Sequence, residues 1–406
     1  MKIGMILDNT FPPDPRVENE ATSLLEQGHQ MFLYCLDYTY DQPEYEKIRG
    51  IYVYRKKLSK LFFSLSALAY TIPAYHFYLK KSISRFIINH KIEAIHVHDI
   101  QIARSVFSIN KKFNLPIILD LHENRPEIMK YYAHVNSILG KLLIHASQWK
   151  KYEYKYIKAA QKVIVITEEA KEYYVNEVQV DEDKIFVVPN SVRKDFYTNY
   201  KLKQDVLDQY TNHFTILYIG ETGLRRGLVT IIKSLQYLIP QIPNIKLVIV
   251  GQAKTDYVLK NLVNKLGYEN YVELTGWKEF KLLPSYIFSS DLGICPIHKN
   301  LHHETTYANK IFQYLAFGKP IIVSDCKAQK NIVEKHNCGL VFKDQNVKNF
   351  ADKVLILYRD KSLYQKLSIN AKKAINEKLH WGKISKNLIK LYNKIEKNRK
   401  SEYLYY

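Results

Sequence analysis

At 406 residues and 47% hydrophobic content, the chain exceeds one compact domain and carries material for two cores. Lys and Arg number 60 against 40 Asp and Glu, and the net charge of +20 points to phosphorylated substrates, an anionic membrane face or nucleic acid. Lysine dominates over arginine, which disfavours base-edge reading. The four scattered cysteines (Cys35, Cys295, Cys326, Cys338) form no C-x-x-C pair, against zinc and disulfide frameworks and in favour of a reducing compartment.

Residues 2–7 (KIGMIL) read as a first strand, and Asp8 interrupts the apolar run too soon for a signal peptide. Val17–Gln27 reads as a helix stopped by Gly28, Gln30–Leu36 as a second strand, and Ile51–Tyr54 as a short one. Leu61–Leu79 lacks Asp, Glu, Lys and Arg and lies between lysines. Pro73 and His76 argue against a span, leaving a membrane-surface helix pair or a buried one. Strands follow at Ala94–His98, Pro116–Asp120, Lys162–Thr167 and Lys184–Val188, with helices between. The turn cluster Pro189–Val192 reads as a linker. The βα pattern restarts at Phe214–Ile219, Lys246–Val250, Val272–Leu274, Leu292–Ile294 and Ile321–Val323, and the chain ends helical and basic.

The expected architecture is therefore α/β, with two doubly wound parallel-sheet, Rossmann-like domains whose strand ends line a central cleft. Residues 1–190 would form the N-terminal domain and 191–385 the C-terminal one. Residues 386–406 would form a basic helix crossing back.

The most informative run is Tyr307–Asp325, which reads as a helix, a stop at Gly318 and Pro320, and a buried strand. Asn309 and Lys310 fall in the first helical turn, where free N–H groups and the helix dipole attract anions. A plain βα unit with a solvated lysine would look the same. Arg226 precedes Gly227 and another predicted helix start, where a cation opposes the dipole unless an anion is bound. Arg225 is the alternative for that task. The D-x-D at 181–183 reads as a solvated turn, so no metal is expected and the phosphate charge falls to side chains and N–H groups. His122 ends an apolar strand, and His98 and Asp99 end the one before it. Arg16 in the first loop could bind a phosphate or pair with Glu20, four residues on.

These pieces, taken in order, resemble glycosyltransferase family 4 (group 1, GT-B architecture). The landmarks are Asp14–Ala21 with Gly28-His29, His96–Asp99, Asp120–Glu123, Val188–Val192, Tyr218–Gly220 through Leu228, Gly276-Trp277, Asp291–Gly293 and the 307–325 run. The resemblance implies a retaining hexosyl transfer from a nucleotide sugar, UDP- or GDP-linked, without a cofactor. It places His122, Arg226 and Lys310 in catalytic roles. Gly220, Arg225, Gly251, Glu304, Asn309 and Gln313 would bind the donor, and Asp14, Arg16, His98, Asp99 and Glu123 would line the acceptor side. The family's two glutamates seven residues apart are absent: Thr305 and Gln313 stand in their places, with Glu304 one residue off register. Charge and the 61–79 segment point to a lipid-linked or glycan acceptor in surface polysaccharide assembly. They also favour a cytoplasmic enzyme peripheral on the inner membrane face. The alternatives are a nucleotide-sugar epimerase of the same architecture and a basic nucleic-acid-binding protein; no nucleic-acid motif supports the latter.

Overall fold

The computed structural model describes residues 1–60, 62 and 65–403. The chain forms two compact units, the first built from Met1–Pro189 with Ser385–Tyr406 and the second from Asn190–Ile384.

Unit 1 holds eight strands: β1 Lys2–Leu7, β2 Gln30–Asp37, β3 Tyr45–Ile48, β4 Ile51–Lys57, β5 Ala94–His98, β6 Ile117–Leu121, β7 Lys162–Val165 and β8 Ile185–Val187. Their order is β3-β4-β2-β1-β5-β6-β7-β8, and every pairing is parallel except β3 with β4. The central strands β1, β5 and β6 are buried along almost their whole length because helices cover both faces of a parallel sheet, and His96, His98 and Asp120 are buried among their apolar residues. The helix Pro15–Leu25 starts where Asp14 accepts the N–H groups of Arg16 and Val17, each at 3.1 Å, with proline in its first turn.

Unit 2 holds β9 Phe214–Ile219, β10 Ile245–Val250, β11 Val272–Gly276, β12 Leu292–Cys295, β13 Ile321–Ser324 and β14 Gly339–Phe342. The order is β11-β10-β9-β12-β13-β14, all parallel. Alternation splits its core in two. Leu217, Ile219, Val248 and Val323 pack with Ile311 and Tyr314. Ile216, Tyr218, Leu247 and Ile294 pack with Leu228, Ile231 and Leu235. The final helix, Trp381–Tyr403, leaves unit 2 and fastens to unit 1, where Tyr392 Oη lies 2.9 Å from His96 Nδ1 and Arg399 donates to Glu93 O at 3.1 Å.

Two local expectations need correction. The strand expected at Ile51–Tyr54 runs to Lys57 and pairs with an unforeseen β3 through the two-residue turn Arg49-Gly50, both at positive φ (48° and 89°). In the expected 61–79 segment, Leu61, Phe63 and Ser64 lie outside the described residues. The remainder is a 3-10 turn Leu65–Leu68 and the start of a helix Ala74–His90. Tyr70, Tyr75 and Leu79 are buried while Ile72, Phe77 and Tyr78 face water, so the segment is partly core and partly surface. Among the described residues, no helix is long and apolar enough to cross a membrane. Leu404–Tyr406 of the basic C-terminal stretch also lie outside the described residues.

Candidate active site

In unit 2 the strand ends of β9 and β10 are made of glycine. Gly220 and Gly251 have φ of +121° and +146°, and a Cβ on Gly251 would collide with the Gly220 carbonyl oxygen. The chain then passes Glu221 and enters the 3-10 turn Leu224–Arg226. Gly227, at φ +76°, admits the chain to the helix Leu228–Leu238; a side chain there would strike the Pro296 carbonyl. Glu221 accepts from Arg226 Nε at 2.7 Å and lies 4.0 Å from Arg225. The two arginines and the glutamate therefore form one exposed-edge cluster.

Lys310 joins this cluster from the helix Asn309–Ala316, whose N-terminal residue Asn309 is exposed. Only 7% of Lys310 is exposed. Its Nζ sits 3.5 Å above the centre of the Tyr218 ring, and its tip lies 3.5 Å from where a Cβ on Gly220 would be. Burial pushes its ammonium down to about 7, and nearby Arg226 adds to the effect. The helix is fixed at this height by Tyr314, whose hydroxyl donates to Leu217 O at 3.0 Å and accepts from Ile219 N–H at 2.9 Å. Gln313 is half-buried one turn on. Glu304 ends the short helix Leu301–Glu304 with Oε1 buried and unbonded. Thr305, in the family's glutamate position, is buried and turns its hydroxyl back to Leu301 O at 2.8 Å.

Unit 1 gathers its polar residues at the ends of β1, β5 and β6. Asp99, held at φ +61°, places Oδ2 3.0 Å from His122 Nε2. His122 Nδ1 lies 3.5 Å from Asp120 Oδ2, and His98 Nδ1 lies 3.1 Å from the same oxygen. Burial alone would lower the His122 imidazole, but Asp99 and Asp120 outweigh it and hold His122 well above its ordinary range. The two carboxylates thus favour the imidazolium form of the ring. Its carboxylate partners are correspondingly held down against burial, Asp99 by His122 and Asp120 chiefly by Arg16.

The structure gives three expected acceptor-side residues other occupations. Arg16 is 7% exposed and spans Asp120 (2.6 and 2.8 Å), Glu20 (2.9 Å) and the Val188 carbonyl (3.0 Å). Its guanidinium is a buried fastener, since an ion pair of this geometry leaves no face for a phosphate. Asp14 is the helix cap described above, and His98 is fully buried beneath Asp120. Glu123 stays at the edge, half-exposed, 3.1 Å from Arg125. Glu20, His96, His98 and Asp120 bring ligand atoms within 4.8 Å of one another, but Arg16 already bridges both carboxylates of that group. Residues the sequence reading overlooked include Asp8, which is bonded to Tyr75 and pushed up to about 7 by burial. Tyr218, beneath Lys310, and Glu221, between the arginines, complete that list. Asp8 carried a readable signal, a carboxylate directly after a central strand.

Comparison with known proteins supplies the context. The model for Glycosyltransferase Family 4 matches residues 16–196, and that for Glycosyl transferases group 1 matches residues 200–374. An uncharacterized glycosyltransferase of Methanocaldococcus jannaschii is 23% identical over 97% of this chain and 98% of its own. The capsular polysaccharide biosynthesis glycosyltransferase CapM of Staphylococcus aureus is 22% identical over 58% of this chain and 62% of its own. A UDP-Gal:alpha-D-GlcNAc-diphosphoundecaprenol alpha-1,3-galactosyltransferase of Escherichia coli is 24% identical over 51% and 53%. Among solved structures, a sucrose-phosphate synthase from Thermosynechococcus elongatus superposes with TM-score 0.78 at 14% identity, covering 98% of this chain and all of its own. HepE of Anabaena, solved with UDP, gives 0.72 at 14% identity, covering 97% of this chain and all of its own. These likenesses show a shared GT-B fold.

Proposed function

The chain belongs to glycosyltransferase family 4, is an enzyme of the group 1 type that uses nucleotide sugars, and on that premise we propose a metal-independent, retaining transfer to a lipid-linked glycan acceptor. The observation that carries this reading is Lys310. Its ammonium is nearly buried, rests on an aromatic face, and has neither a hydrogen bond nor an ion pair among the described residues. Such a group is costly in the free protein and is repaid by a bound anion. Arg225 and Arg226 share the same strand end, so three cations converge where a leaving diphosphate gathers charge. That supply of positive charge is what a metal ion would otherwise provide. Gly220 and Gly251 let phosphate oxygens approach the backbone.

The acceptor hydroxyl is assigned to the edge of unit 1. Asp8, Asp99 and Glu123 accept hydrogen bonds from sugar hydroxyls, and His122 orients the Asp99 carboxylate. Retention rests on family membership. A polyprenyl-type acceptor agrees with the net charge and with the diphosphoundecaprenol substrate printed in the name of the E. coli relative. We place the enzyme in the cytoplasm, against the inner membrane face. The carboxylates around His122 would also serve a nucleotide-sugar epimerase; donor turnover to an epimer without acceptor would identify that reaction instead.

The experiment is a binding and turnover panel of UDP, GDP and their sugars, with and without EDTA, for the parent and for Lys310→Ala and Arg226→Ala. Selective binding of one base, insensitivity to EDTA, and loss of transfer in both folded variants are expected. Undiminished turnover in both variants would refute the assignment.

A further inference from the structure

Unit 1 displays an apolar face that its own core does not use. Ile138 is 90% exposed, Leu142 69%, Phe77 64%, Ile72 40% and Leu143 36%. Scattered exposed apolar residues need no explanation, but these are gathered and held. The short helix Ile138–Leu143 is capped by Ser137, whose hydroxyl accepts Gly140 N–H at 3.0 Å. On either side of it Val135 and Ile144 are buried, anchoring the segment while Ile138 and Leu142, four residues apart, point outward together. Thr71 Oγ1 donates to Leu143 O at 2.7 Å, which joins this helix to the chain at Ile72 and to the first turn of the helix bearing Phe77.

The surrounding charge is of one sign. Lys80 stands 4.8 Å over the Phe77 ring, Lys81 follows it exposed, and Lys141 is exposed between the outward apolar residues. The face also belongs to the functional edge of its unit. Tyr70 Oη donates to Ile100 O at 2.5 Å, next to Asp99, and Tyr75 bonds Asp8.

We propose that this face seats unit 1 on an anionic phospholipid bilayer. Ile138 and Leu142 enter the boundary between headgroups and acyl chains, and Lys80, Lys81 and Lys141 meet lipid phosphates. The proposal rests on the lipid-linked acceptor proposed above and names the surface that reaches it. The sugar end of such an acceptor would stand at the level of Asp8 and Asp99 while its lipid stays in the membrane. A rival basic face exists on the last helix, where Lys386, Lys390, Lys394 and Lys397 line one side around Ile389. Among the described residues it carries no comparable set of exposed apolar side chains.

The test is co-sedimentation of the full chain with vesicles of phosphatidylcholine alone or mixed with phosphatidylglycerol. Binding to the mixed vesicles is expected. Ile138→Ser with Leu142→Ser should weaken it about tenfold or more, and Lys80→Glu with Lys81→Glu should abolish the preference for the anionic lipid. Lys390→Glu with Lys394→Glu should leave the apolar contribution in place. The proposal is overturned if the Ile138 and Leu142 variant sediments like the parent, if the parent binds neither vesicle, or if light scattering shows that these residues instead hold two copies together. UDP binding, measured on the same variants, should not change. Loss of UDP binding by the parent with vesicle binding intact would sink the donor assignment and spare this one.

Discussion

Lys310 makes the proposed donor site a proton-linked one. In the free protein its ammonium is pushed down from 10.5 to about 7, burial acting first and Arg226 second. A diphosphate at about 4 Å, with an effective dielectric constant of about 20, returns about 4 kcal/mol per unit charge, roughly three pH units. Donor binding therefore requires the charged lysine and restores its affinity for a proton. At pH 8 about nine-tenths of the free sites are neutral, so binding takes up about 0.9 proton and apparent affinity falls about 25-fold between pH 6.5 and 8.5. Calorimetric titration of the cognate nucleoside diphosphate in buffers of different ionisation enthalpy reads both quantities. Ionisation of the terminal phosphate near pH 6 acts in the opposite direction, so the high-pH limb is the informative one. Lys310→Arg, whose guanidinium does not titrate here, should bind with a flat profile. Lys310→Met should lose about 1.5–3 kcal/mol, on the order of tenfold to a hundredfold in affinity. A parent profile that is flat to pH 8.5, with no proton uptake, would refute the linkage and with it the placement of phosphate at this lysine.

Three further outcomes follow from the geometry. Gly227→Ala should cost about 3 kcal/mol or more, because φ is +76° and the new methyl meets the Pro296 carbonyl, lowering the melting transition of unit 2 by about 6–12 °C in calorimetry. Arg16→Met should destabilise unit 1 by about 3–5 kcal/mol in urea unfolding, since the buried carboxylates of Asp120 and Glu20 lose their shared guanidinium, while UDP affinity stays unchanged; a loss under about 1 kcal/mol would mean that Arg16 is no fastener. His122 should remain protonated through pH 7 by NMR, and Asp99→Asn should bring its titration down toward neutrality. Because its folded-state value is raised above 6.5, the stability it contributes is fully present below 6.5 and is lost as pH rises through the folded value.

What could be read from the sequence was whatever local chemistry determines. Apolar runs marked the central strands, and Gly28 and Gly318 marked helix ends, both at positive φ (83° and 69°). Arg16 with Glu20 was legible because a helix brings residues four apart together. Its stronger partner, Asp120, was not: it lies 104 positions away and arrives only through the parallel packing of β1, β5 and β6. Tyr218 escaped for the same reason, since its sequence context is that of any strand residue and its ring acquires a role only when another helix delivers Lys310 above it. The β3–β4 hairpin escaped because a four-residue polar edge strand carries almost no periodic signal beyond its Arg-Gly turn.

The net charge of +20 is a poor guide to either site, because the two units sort charge differently at their strand ends. Unit 1 gathers Asp8, Asp99 and Asp120 there, and burial holds the least supported of these, Asp8, up to about 7. Such an edge repels a diphosphate and suits neutral hydroxyls. Unit 2 concentrates Arg225, Arg226 and Lys310, with Glu221 alone opposing them. That edge attracts a diphosphate strongly, and more so as the leaving group gains charge. In the proposed reading, the departing diphosphate meets a cationic strand end in unit 2 and the attacking hydroxyl a carboxylate-bearing strand end in unit 1. That division would follow from which strand ends carry carboxylates and which carry cations, with the surplus of surface lysine left for the membrane contact proposed above.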